Sequence, residues 1–272
     1  MKLLVITPTL GRSPFLREAL DSVAALAPAV RHVLVAPGAA AAALQRDFPA
    51  VEVISDDQPG VYAAINRGFL SAGGDWDAWT WLNDDDRWRP DGMRGVLAAM
   101  ANDPAADIVY GRVGYIDAAG RPLGALPVER AARRFPLLLA AGISPFSQHG
   151  TLVRRGCAER LGPLDIRLRL GADFDYWVRA VAARARFRFV NAVVAHYRIR
   201  PGQLSGDTTA MRREIAACAV RAFGTTAAWR VQAARFGFRL RRSPGILERF
   251  LRTGCWRTET LFRRATETKG TP

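Results

Sequence analysis

The sequence predicts an α/β protein built on a mostly parallel sheet. Short apolar segments alternate with helical segments four times between Leu3 and Leu82, which is the pattern of strands joined by helical crossovers. Polar or acidic residues follow three of the four apolar segments, and ligands of parallel sheets bind at the carboxyl ends of the strands. Because 272 residues with 49% hydrophobic and 24% charged side chains suit a globular chain, we expect one large domain with room for an extension.

The elements of the first part can be assigned in order. The first strand is predicted at 3–6 and the first helix at about 13–26, with Ser13 as its N-cap and Pro14 in its first turn. Apolar residues at helical spacing support this helix: Phe15, Leu16, Ala19, Leu20 and Val23. Further strands are predicted at 30–36, 51–54 and 78–82, and further helices at 39–47 and 60–70.

The second part of the sequence is less regular. It predicts helices at 90–101 and 172–184, strands at 108–113 and 148–154, one or two strands at 187–197, and a hairpin turn at 117–120. The last quarter is predicted to be helical after a soft boundary near 202–209. We therefore predict a domain at 1–207, made of halves at about 1–110 and 111–207, followed by an extension at 208–272.

Positive charge is concentrated in that extension. The formal net charge of the chain is +14, of which residues 208–272 contribute +10. Within 246–262 the apolar residues fall along one helical stripe and the arginines lie mostly off it, as in a basic amphipathic helix. The arginines concerned are Arg249, Arg252, Arg257, Arg263 and Arg264. This pattern favours contact with an anionic membrane surface or nucleic acid, and a solvated helical face docked on the main domain is the alternative.

Cysteine usage and hydropathy argue against several other classes. Cys157, Cys218 and Cys255 lie far apart with no CxxC pair, which indicates a reducing compartment and neither a disulfide framework nor a structural zinc site. The apolar start of the chain is too short for a signal peptide, and no segment approaches the roughly 20 apolar residues of a membrane span. We therefore expect a cytoplasmic protein that lies peripherally on the inner face of the plasma membrane if its basic helix binds lipid.

Three consecutive aspartates follow the strand predicted at 78–82. Asp84, Asp85 and Asp86 cannot all be buried and ionised without compensation, because isolated buried carboxylates are costly and like charges raise one another's pKa. A divalent cation with phosphate oxygens supplies that compensation, since Mg²⁺ takes one or two carboxylates and leaves positions for phosphates. The alternative is a solvated acidic turn before the helix that starts near Pro90.

Longer motifs occur in a specific order along the chain: ITPTLGR at 6–12, SDDQPGVYAAINRGFLSAGGDWDAWTWLNDDDRW at 55–88 and SQHGTLVRRGCAERLGPLDIRLRLGADFDYWVRA at 147–180. Together they resemble the family 2 glycosyltransferases of the GT-A fold, over roughly residues 3–205. The resemblance implies a GT-A-like sheet flanked by helices. It also implies an inverting enzyme dependent on Mg²⁺ or Mn²⁺ that moves a sugar from a nucleotide-diphosphate donor. The implied acceptor is a glycan or lipid-linked molecule of the cell-surface polysaccharide or lipopolysaccharide type.

The same resemblance implies roles for individual residues. Asp173 matches the general base that deprotonates the acceptor hydroxyl, with Asp175 as the fallback. The expected metal ligands are Asp86, as the direct one, together with Asp84 and His196. The nucleotide sugar is expected to contact Thr7, Pro8, Thr9, Asp56, Asp57, Asn66, Asp84, Asp85, His149 and Arg198. Arg200 and Ser205 are further candidates for the diphosphate.

Plainer alternatives exist for several of these assignments. Asp173 can be an ordinary acidic residue at a helix N-terminus, and His196 can be a histidine that is merely hydrogen-bonded. Ala36-Pro37-Gly38 stands where much of the family has an acidic turn that recognises the base. The nucleotide is therefore left open, and Asp56 or Asp57 would have to supply that contact.

Other functions compete with glycosyl transfer. A nucleotidyltransferase can share the scaffold and the acidic site, but it usually has a glycine-rich phosphate loop with a lysine, which Leu10-Gly11-Arg12 matches poorly. A non-catalytic protein that binds nucleic acid or a membrane through the basic extension is another alternative, as is a catalytically inactive relative. Nucleic acid is the less favoured partner, because the sequence lacks zinc-finger spacing and RNP-like aromatic residues.

Overall fold

The computed structural model describes residues 1–241, 243–256 and 260, and within them nine strands and ten α-helices. The strands are β1 (Leu3–Pro8), β2 (Val30–Ala36), β3 (Glu52–Ser55), β4 (Ala78–Trp81), β5 (Arg87–Trp88), β6 (Ile108–Ile116), β7 (Pro122–Ala125), β8 (Thr151–Arg154) and β9 (Phe187–Arg198). The helices are α1 (Leu16–Ala24), α2 (Gly38–Asp47), α3 (Val61–Ser71), α4 (Pro90–Ala101), α5 (Phe135–Ala140), α6 (Arg155–Leu161), α7 (Ala172–Ala182), α8 (Thr208–Phe223), α9 (Ala228–Arg241) and α10 (Ser243–Thr253).

The strands form one mixed sheet in the order β3-β2-β1-β4-β8-β6-β9-β5, with β7 paired to β6. The four strands of the first part are parallel, with Leu3 of β1 opposite Val30 on one side and Ala78 on the other. Strand β8 is antiparallel to both β4 and β6, so the sheet changes direction at its centre. The predicted α/β fold is confirmed, and its parallel part is the part with regular strand and helix alternation.

The first strand shows why helices cover both faces of the sheet. Alternate side chains of a strand point to opposite faces. Leu3 and Val5 therefore pack with α1 and α4, whereas Leu4 and Ile6 pack in the other core layer, which contains residues of α3, α5 and α7. Because both faces are buried in this way, the edge formed by the carboxyl ends of β1 to β4 is the place where polar side chains can gather.

Some boundaries differ from the predicted ones for local reasons. Helix α1 begins at Leu16, three residues after the predicted start. The Ser13 hydroxyl accepts the backbone N–H of Phe15 at 3.3 Å and donates to the backbone oxygen of Asp84 at 3.0 Å, so it holds the turn that precedes the helix. The strand predicted at 148–154 begins at Thr151, because Gln148–Gly150 forms a short 3-10 turn. Residues 187–198 form a single strand.

Helix α8 lies in the predicted extension but packs into the main domain. Its Cys218 and Ala219 belong to the core layer that contains α7. Its Glu214 accepts three backbone N–H groups from the loop before α7, at 3.1 Å from Arg169 and 2.8 Å each from Leu170 and Gly171. The first helix after residue 207 therefore helps to build the domain that precedes it.

The predicted basic amphipathic helix is described only in part. Helix α10 ends at Thr253, and the predicted stripe residues Leu261 and Phe262, with Arg257, Arg263 and Arg264, lie outside the described residues. Arg249, predicted to lie off the apolar stripe, is buried, and its Nε donates to the backbone oxygen of Cys255 at 3.3 Å. Among the helices described, none has both the length and the apolar character needed to cross a bilayer.

Candidate functional site

The loop after β1 and the acidic run after β4 meet at the carboxyl edge of the sheet. The Thr9 hydroxyl donates to Asp84 Oδ2 at 2.5 Å and accepts the backbone N–H of Gly11 at 3.0 Å. Ser13 adds the bond to the backbone oxygen of Asp84. Adjacent parallel strands thus bring together two segments that are 75 residues apart in the chain, as the sequence predicts for Thr9 and Asp84.

Asp86 is fully buried, and both of its carboxylate oxygens are used by the protein. Oδ1 accepts the backbone N–H of Arg198 at 2.8 Å, and Oδ2 accepts Nδ2 of Asn83 at 3.2 Å. His149 Nε2 lies 2.9 Å from the same Oδ2, an ion-pair distance without the alignment of a hydrogen bond. Asp86 is therefore an anchor for β9 and His149, and it is a poorer candidate for the direct metal ligand than the sequence predicts.

Asp84 and Asp85 are the better candidates to hold a cation. Asp85 Oδ2 accepts Nε of Arg200 at 2.7 Å. Burial, with the neighbouring charge of Asp86, raises the pKa of Asp85 to about 6 against the opposing effect of Arg200. Burial also raises the pKa of Asp84. The other oxygen of each carboxylate has no hydrogen-bond partner among the described residues.

Two such carboxylates suit Mg²⁺ or Mn²⁺ if phosphate and water complete the coordination. Within the described part of the chain, no three or more histidine, cysteine, aspartate or glutamate side chains are arranged to hold a metal ion. Asp84 and Asp85 therefore suit a cation that binds together with a diphosphate, whose oxygens complete the coordination. They suit a cation held by protein ligands alone less well.

His149 lies between the acidic run and helix α7. Its Nδ1 is 2.8 Å from the Ser147 hydroxyl, and its ring packs on that of Tyr197 with 4.7 Å between centroids. Burial alone lowers the pKa of His149, but the carboxylates of Asp86 and, more weakly, Asp173 and Asp85 raise it above the usual value. The negative charge of these carboxylates thus favours the protonated form of the ring.

Asp173 occupies the first turn of α7 and interacts electrostatically with His149. Its Oδ1 accepts the backbone N–H of Phe174 at 2.8 Å, and burial raises the pKa of its carboxyl group. Tyr62 faces the same turn: burial and then the charge of Asp173 raise its pKa well above 10, against backbone hydrogen bonds at Asp173 and Ala172. Sequence reasoning did not single out Tyr62, although its place in the VYAAIN motif was a usable signal.

Asp175, the fallback base, is committed elsewhere. Its Oδ2 accepts Nε of Arg179 at 2.9 Å, and its Oδ1 pairs with Arg221 of α8. Both oxygens are thus held by arginines, which gives Asp175 a structural role in joining α7 to α8.

The carboxyl ends of β2 and β3 place two further aspartates side by side. Asp57 Oδ1 accepts the backbone N–H of Gly38 at 2.8 Å, at the start of α2. Asp56 Oδ1 accepts the N–H of Gln58 at 3.1 Å, while its Oδ2 is buried and has no hydrogen-bond partner among the described residues. Because a buried unpaired acceptor is costly, Asp56 Oδ2 is suited to accept a hydrogen bond from a ligand N–H or hydroxyl. Asp57 instead holds the loop between β2 and α2 through its bond to Gly38.

Three predicted donor contacts have other roles. The Thr7 hydroxyl lies 2.9 Å from His32 Nε2 within the sheet, and Pro8 is buried at the end of β1 beside Val35. The side-chain amide of Asn66 is fully used by the backbone of Leu164, with bonds of 2.8 and 2.9 Å. These residues support the fold around the site instead of facing a donor.

Arg198 and His196, predicted to contact the diphosphate and a metal, make their contacts within the protein. The Arg198 side chain is 1% exposed, its Nε donates to the backbone oxygen of Asp85 at 2.8 Å, and it pairs with Glu18. Its Nη1 donates to the backbone oxygens of Asp117 and Ala118 at 3.2 Å each, so each of the three guanidinium nitrogens has an acceptor within the protein.

His196, two residues earlier on β9, accepts Nε of Arg87 at 3.2 Å. Burial, with the charges of Arg87 and Arg89, lowers its pKa to about 4. The histidine is therefore a neutral hydrogen-bond acceptor for Arg87. The prediction that His196 is a metal ligand is not supported by this arrangement.

Comparison with known sequences points to one family. The family model described as "Glycosyl transferase family 2" matches residues 4–162. A "PGL/p-HBAD biosynthesis glycosyltransferase" of Mycobacterium tuberculosis (strain ATCC 25177 / H37Ra) is 32% identical over 143 residues, which is 52% of each chain. A protein of the same description from Mycobacterium bovis (strain BCG / Pasteur 1173P2) matches equally. The chain spans about half the length of these curated relatives.

Solved structures share the fold at low sequence identity. The crystal structure of S. aureus TarS 1-349 in complex with UDP-GlcNAc has a TM-score of 0.61 and 17% identity, over 97% of this chain and 79% of that one. Glucosyl-3-phosphoglycerate synthase from Mycobacterium tuberculosis, in complex with Mn²⁺, UDP and glucosyl-3-phosphoglycerate, has a TM-score of 0.58 and 16% identity, over 84% and 81% of the two chains. Mannosyltransferase PcManGT from Pyrobaculum calidifontis, in complex with GDP-Man and Mn²⁺, has a TM-score of 0.55 and 15% identity, over 97% and 84%.

Proposed function

Because the chain belongs to glycosyl transferase family 2, we propose that it transfers a glycosyl group, with inversion, from a nucleotide-diphosphate sugar to an acceptor hydroxyl. The observation that carries this proposal is that His149 contacts Asp86 of the acidic run at 2.9 Å, while the charges of Asp86, Asp173 and Asp85 together raise the pKa of its ring. An inverting transfer requires two features: carboxylates that bind a cation beside the leaving diphosphate, and a carboxylate that acts as a base on the acceptor hydroxyl.

In this proposal Asp173 is the general base. As the acceptor oxygen attacks the anomeric carbon, the carboxylate takes up the hydroxyl proton, and the bond from that carbon to the diphosphate oxygen breaks on the opposite face. Burial raises the pKa of Asp173 and so makes it a stronger base than an exposed aspartate. The clamp from Glu214 to the N–H groups of Leu170 and Gly171 fixes the start of its helix.

The leaving diphosphate requires positive charge on the opposite side. Asp84 and Asp85 would hold Mg²⁺ or Mn²⁺, which when bound would stabilise the charge that develops on the diphosphate. Protonated His149, held by Asp86, contributes a fixed positive charge beside them. The neighbours PcManGT and glucosyl-3-phosphoglycerate synthase, both crystallised with Mn²⁺, support the choice of metal.

The nucleotide is proposed to lie over the ends of β2 and β3. Asp56 Oδ2, buried and without a partner in the described part of the chain, would accept a hydrogen bond from the base or the ribose. Thr9 and Asp84, joined by their 2.5 Å hydrogen bond, would line the site where the nucleoside meets the diphosphate.

A thermal-shift screen tests the donor proposal. UDP-, GDP-, CMP- and dTDP-linked sugars are added to the purified chain, each with and without Mn²⁺. A ligand at a hundred times its Kd stabilises the fold by about 2.7 kcal/mol, so we expect a clear rise in Tm with at least one nucleotide sugar. Asp56→Asn should reduce that rise, whereas Asp47→Asn, at the exposed end of α2, should not. Absence of a shift with every sugar, with and without metal, would contradict the proposal.

For the acceptor we propose a lipid-linked or cell-surface glycan precursor, reached from an anionic membrane surface. Trp229, Phe236 and Leu240 are spaced along one stripe of α9 and are 71%, 70% and 63% exposed. The buried residues of the same helix, Ala234 and Phe238, lie on the opposite stripe. An exposed apolar stripe on a strongly basic segment is suited to a lipid interface.

Helix α10 also carries exposed apolar side chains. Its Leu247 and Leu251, one helical turn apart, are 49% and 75% exposed, and Arg252 beside them is half exposed. The basic charge of the segment would attract the headgroups of an anionic leaflet, at about 1 kcal/mol for each basic residue near the surface. The curated relatives, named for PGL/p-HBAD biosynthesis, are compatible with an acceptor of this class.

Vesicle binding tests the membrane proposal. We expect the chain to bind vesicles that contain phosphatidylglycerol and to bind neutral phosphatidylcholine vesicles much more weakly. The triple change Trp229→Ser, Phe236→Ser and Leu240→Ser should weaken binding at least roughly tenfold, since each buried apolar side chain contributes about 1.5–3 kcal/mol. Leu70→Ser is the matched control, because Leu70 is 68% exposed on α3. Equal binding by the triple variant, or binding of duplex DNA in preference to vesicles, would contradict the proposal.

A further inference from the structure

Arg200 is the cation that contacts the acidic run most directly. Its Nε donates to Asp85 Oδ2 at 2.7 Å, and its Nη1 makes a long contact of 3.4 Å with the backbone oxygen of Pro201. Nη2 has no hydrogen-bond partner among the described residues, and the side chain is 29% exposed. The guanidinium therefore neutralises Asp85 while part of its donor fork remains open.

The backbone that carries Arg200 is held separately from its side chain. Its N–H donates to Gln203 Oε1 at 2.7 Å, and Gln203 Nε2 in turn donates to the Tyr197 hydroxyl at 3.0 Å and to Ser205 Oγ at 2.7 Å. The Tyr197 ring packs on His149. The guanidinium can consequently change its partner by side-chain rotation while this loop keeps its place at the site.

Arg198, two residues earlier, shows the contrast. Each of its three guanidinium nitrogens donates to a protein acceptor and its side chain is 1% exposed, so it cannot turn to a ligand without losing these bonds. Arg200 has a single strong partner, and that partner is one of the two carboxylates best placed for a divalent cation. A cation on Asp85 and the guanidinium of Arg200, which is bonded to Asp85 Oδ2, would be like charges on one carboxylate, so each weakens the binding of the other.

We propose that Arg200 exchanges partners during donor binding: it neutralises Asp85 in the donor-free protein and moves to the diphosphate of the donor when Asp85 accepts a divalent cation. The planar fork of arginine pairs with phosphate oxygens through two parallel bonds. Arg200 thus suppresses metal binding before the donor arrives and supplies part of the diphosphate affinity afterwards. This inference rests on the proposed nucleotide-diphosphate donor.

Titration of the donor-free protein with Mn²⁺ alone, followed by electron paramagnetic resonance of the free ion, tests the first half. Arg200→Ala should bind Mn²⁺ more tightly than wild type, roughly fivefold or more, because Asp85 loses its competing partner. Arg188→Ala is the matched control, since Arg188 makes a similar 2.9 Å pair with the surface residue Asp103. Unchanged or weaker Mn²⁺ binding by Arg200→Ala would overturn the exchange.

Calorimetric titration with UDP and with GDP in EDTA tests the second half. Arg200→Ala should weaken the affinity for whichever nucleotide the wild type binds by about tenfold, in line with the loss of charge-assisted hydrogen bonds. Arg200→Lys should recover part of that affinity. Asp85→Asn should raise the affinity for the nucleotide, because it releases Arg200. This variant keeps the test independent of how well Arg200→Ala folds.

The outcomes separate this inference from the function on which it rests. Nucleotide binding by wild type together with equal affinity in Arg200→Ala and Asp85→Asn would overturn the exchange and leave glycosyl transfer intact. Failure of wild type to bind either nucleotide, in EDTA and in Mn²⁺, would overturn both.

Discussion

Asp173→Asn is expected to lower turnover by about 100- to 10,000-fold, the range typical for loss of a general base. The substitution keeps the shape of the side chain and its acceptor for the N–H of Phe174, but the amide cannot take up the proton of an acceptor hydroxyl. Donor affinity should stay close to wild type, because the donor diphosphate is assigned to the acidic run. The measurement is release of nucleoside diphosphate from the donor identified by the thermal-shift screen.

The pH dependence of wild type provides a second readout of the same residue. Asp173 must be ionised to act as a base, so activity should be lost as the pH falls through its pKa. Burial raises that pKa, and the acidic limb of kcat/KM should therefore lie above about pH 3.9, the value of an unperturbed aspartate. An acidic limb at or below that value would contradict the assignment.

Asp175→Asn is the matched control for Asp173. It lies two residues along the same helix, and both of its oxygens are paired with arginines. We expect it to lower Tm and to leave turnover within a few-fold of wild type at temperatures where the protein is folded. The reverse outcome, with turnover lost in Asp175→Asn and kept in Asp173→Asn, would exchange the two roles.

Arg198→Met is expected to lower the free energy of unfolding by about 1–3 kcal/mol for each buried backbone oxygen that loses its donor. Methionine keeps much of the volume of the side chain but leaves the backbone oxygens of Asp85, Asp117 and Ala118 without their donors. It also leaves Glu18 without one of its two arginines. Urea denaturation followed by circular dichroism measures the change.

Arg200→Met separates a structural arginine from a ligand-binding one in the same segment. Its side chain is 29% exposed and has one strong partner, so we expect a loss of stability under about 1 kcal/mol, as for partly exposed ion pairs. If Arg198→Met were as stable as wild type and lost only affinity for nucleotide, the contact with diphosphate predicted from sequence would be correct after all.

The parallel part of the sheet could be predicted from sequence because its signals are local. Four apolar segments bounded by polar residues assign β1 to β4, and the predicted strand at 30–36 and helix at 90–101 have the same bounds in the structure. The meeting of Thr9 with Asp84 follows from the rule that parallel strands end at one edge. Mixed pairing in the second half could not be predicted in this way, because β8 joins β4 and β6 across long stretches of chain.

Roles of polar residues at the site depend on partners that are distant in sequence. Arg198 looks like a phosphate ligand in the sequence, and only the approach of Glu18, 180 residues away, reveals it as a buried structural residue. The sequence of the acidic run likewise does not indicate which carboxylate is free. Tertiary packing brings His149 to Asp86 and Arg200 to Asp85. Residue type and order predict where the chemistry gathers, and tertiary contacts decide which atoms remain available.

The two hydrogen bonds between Asn66 and Leu164 affect how the chain folds during synthesis. Asn66 is translated 98 residues before the backbone that satisfies its buried amide, a delay of about 5–20 seconds at ordinary rates of elongation. Until then the first half holds an unsatisfied polar group in its interior, and its central strand β4 lacks its neighbour β8. The first half therefore cannot complete its native structure on the ribosome ahead of the rest, and we expect the two halves to fold as one cooperative unit.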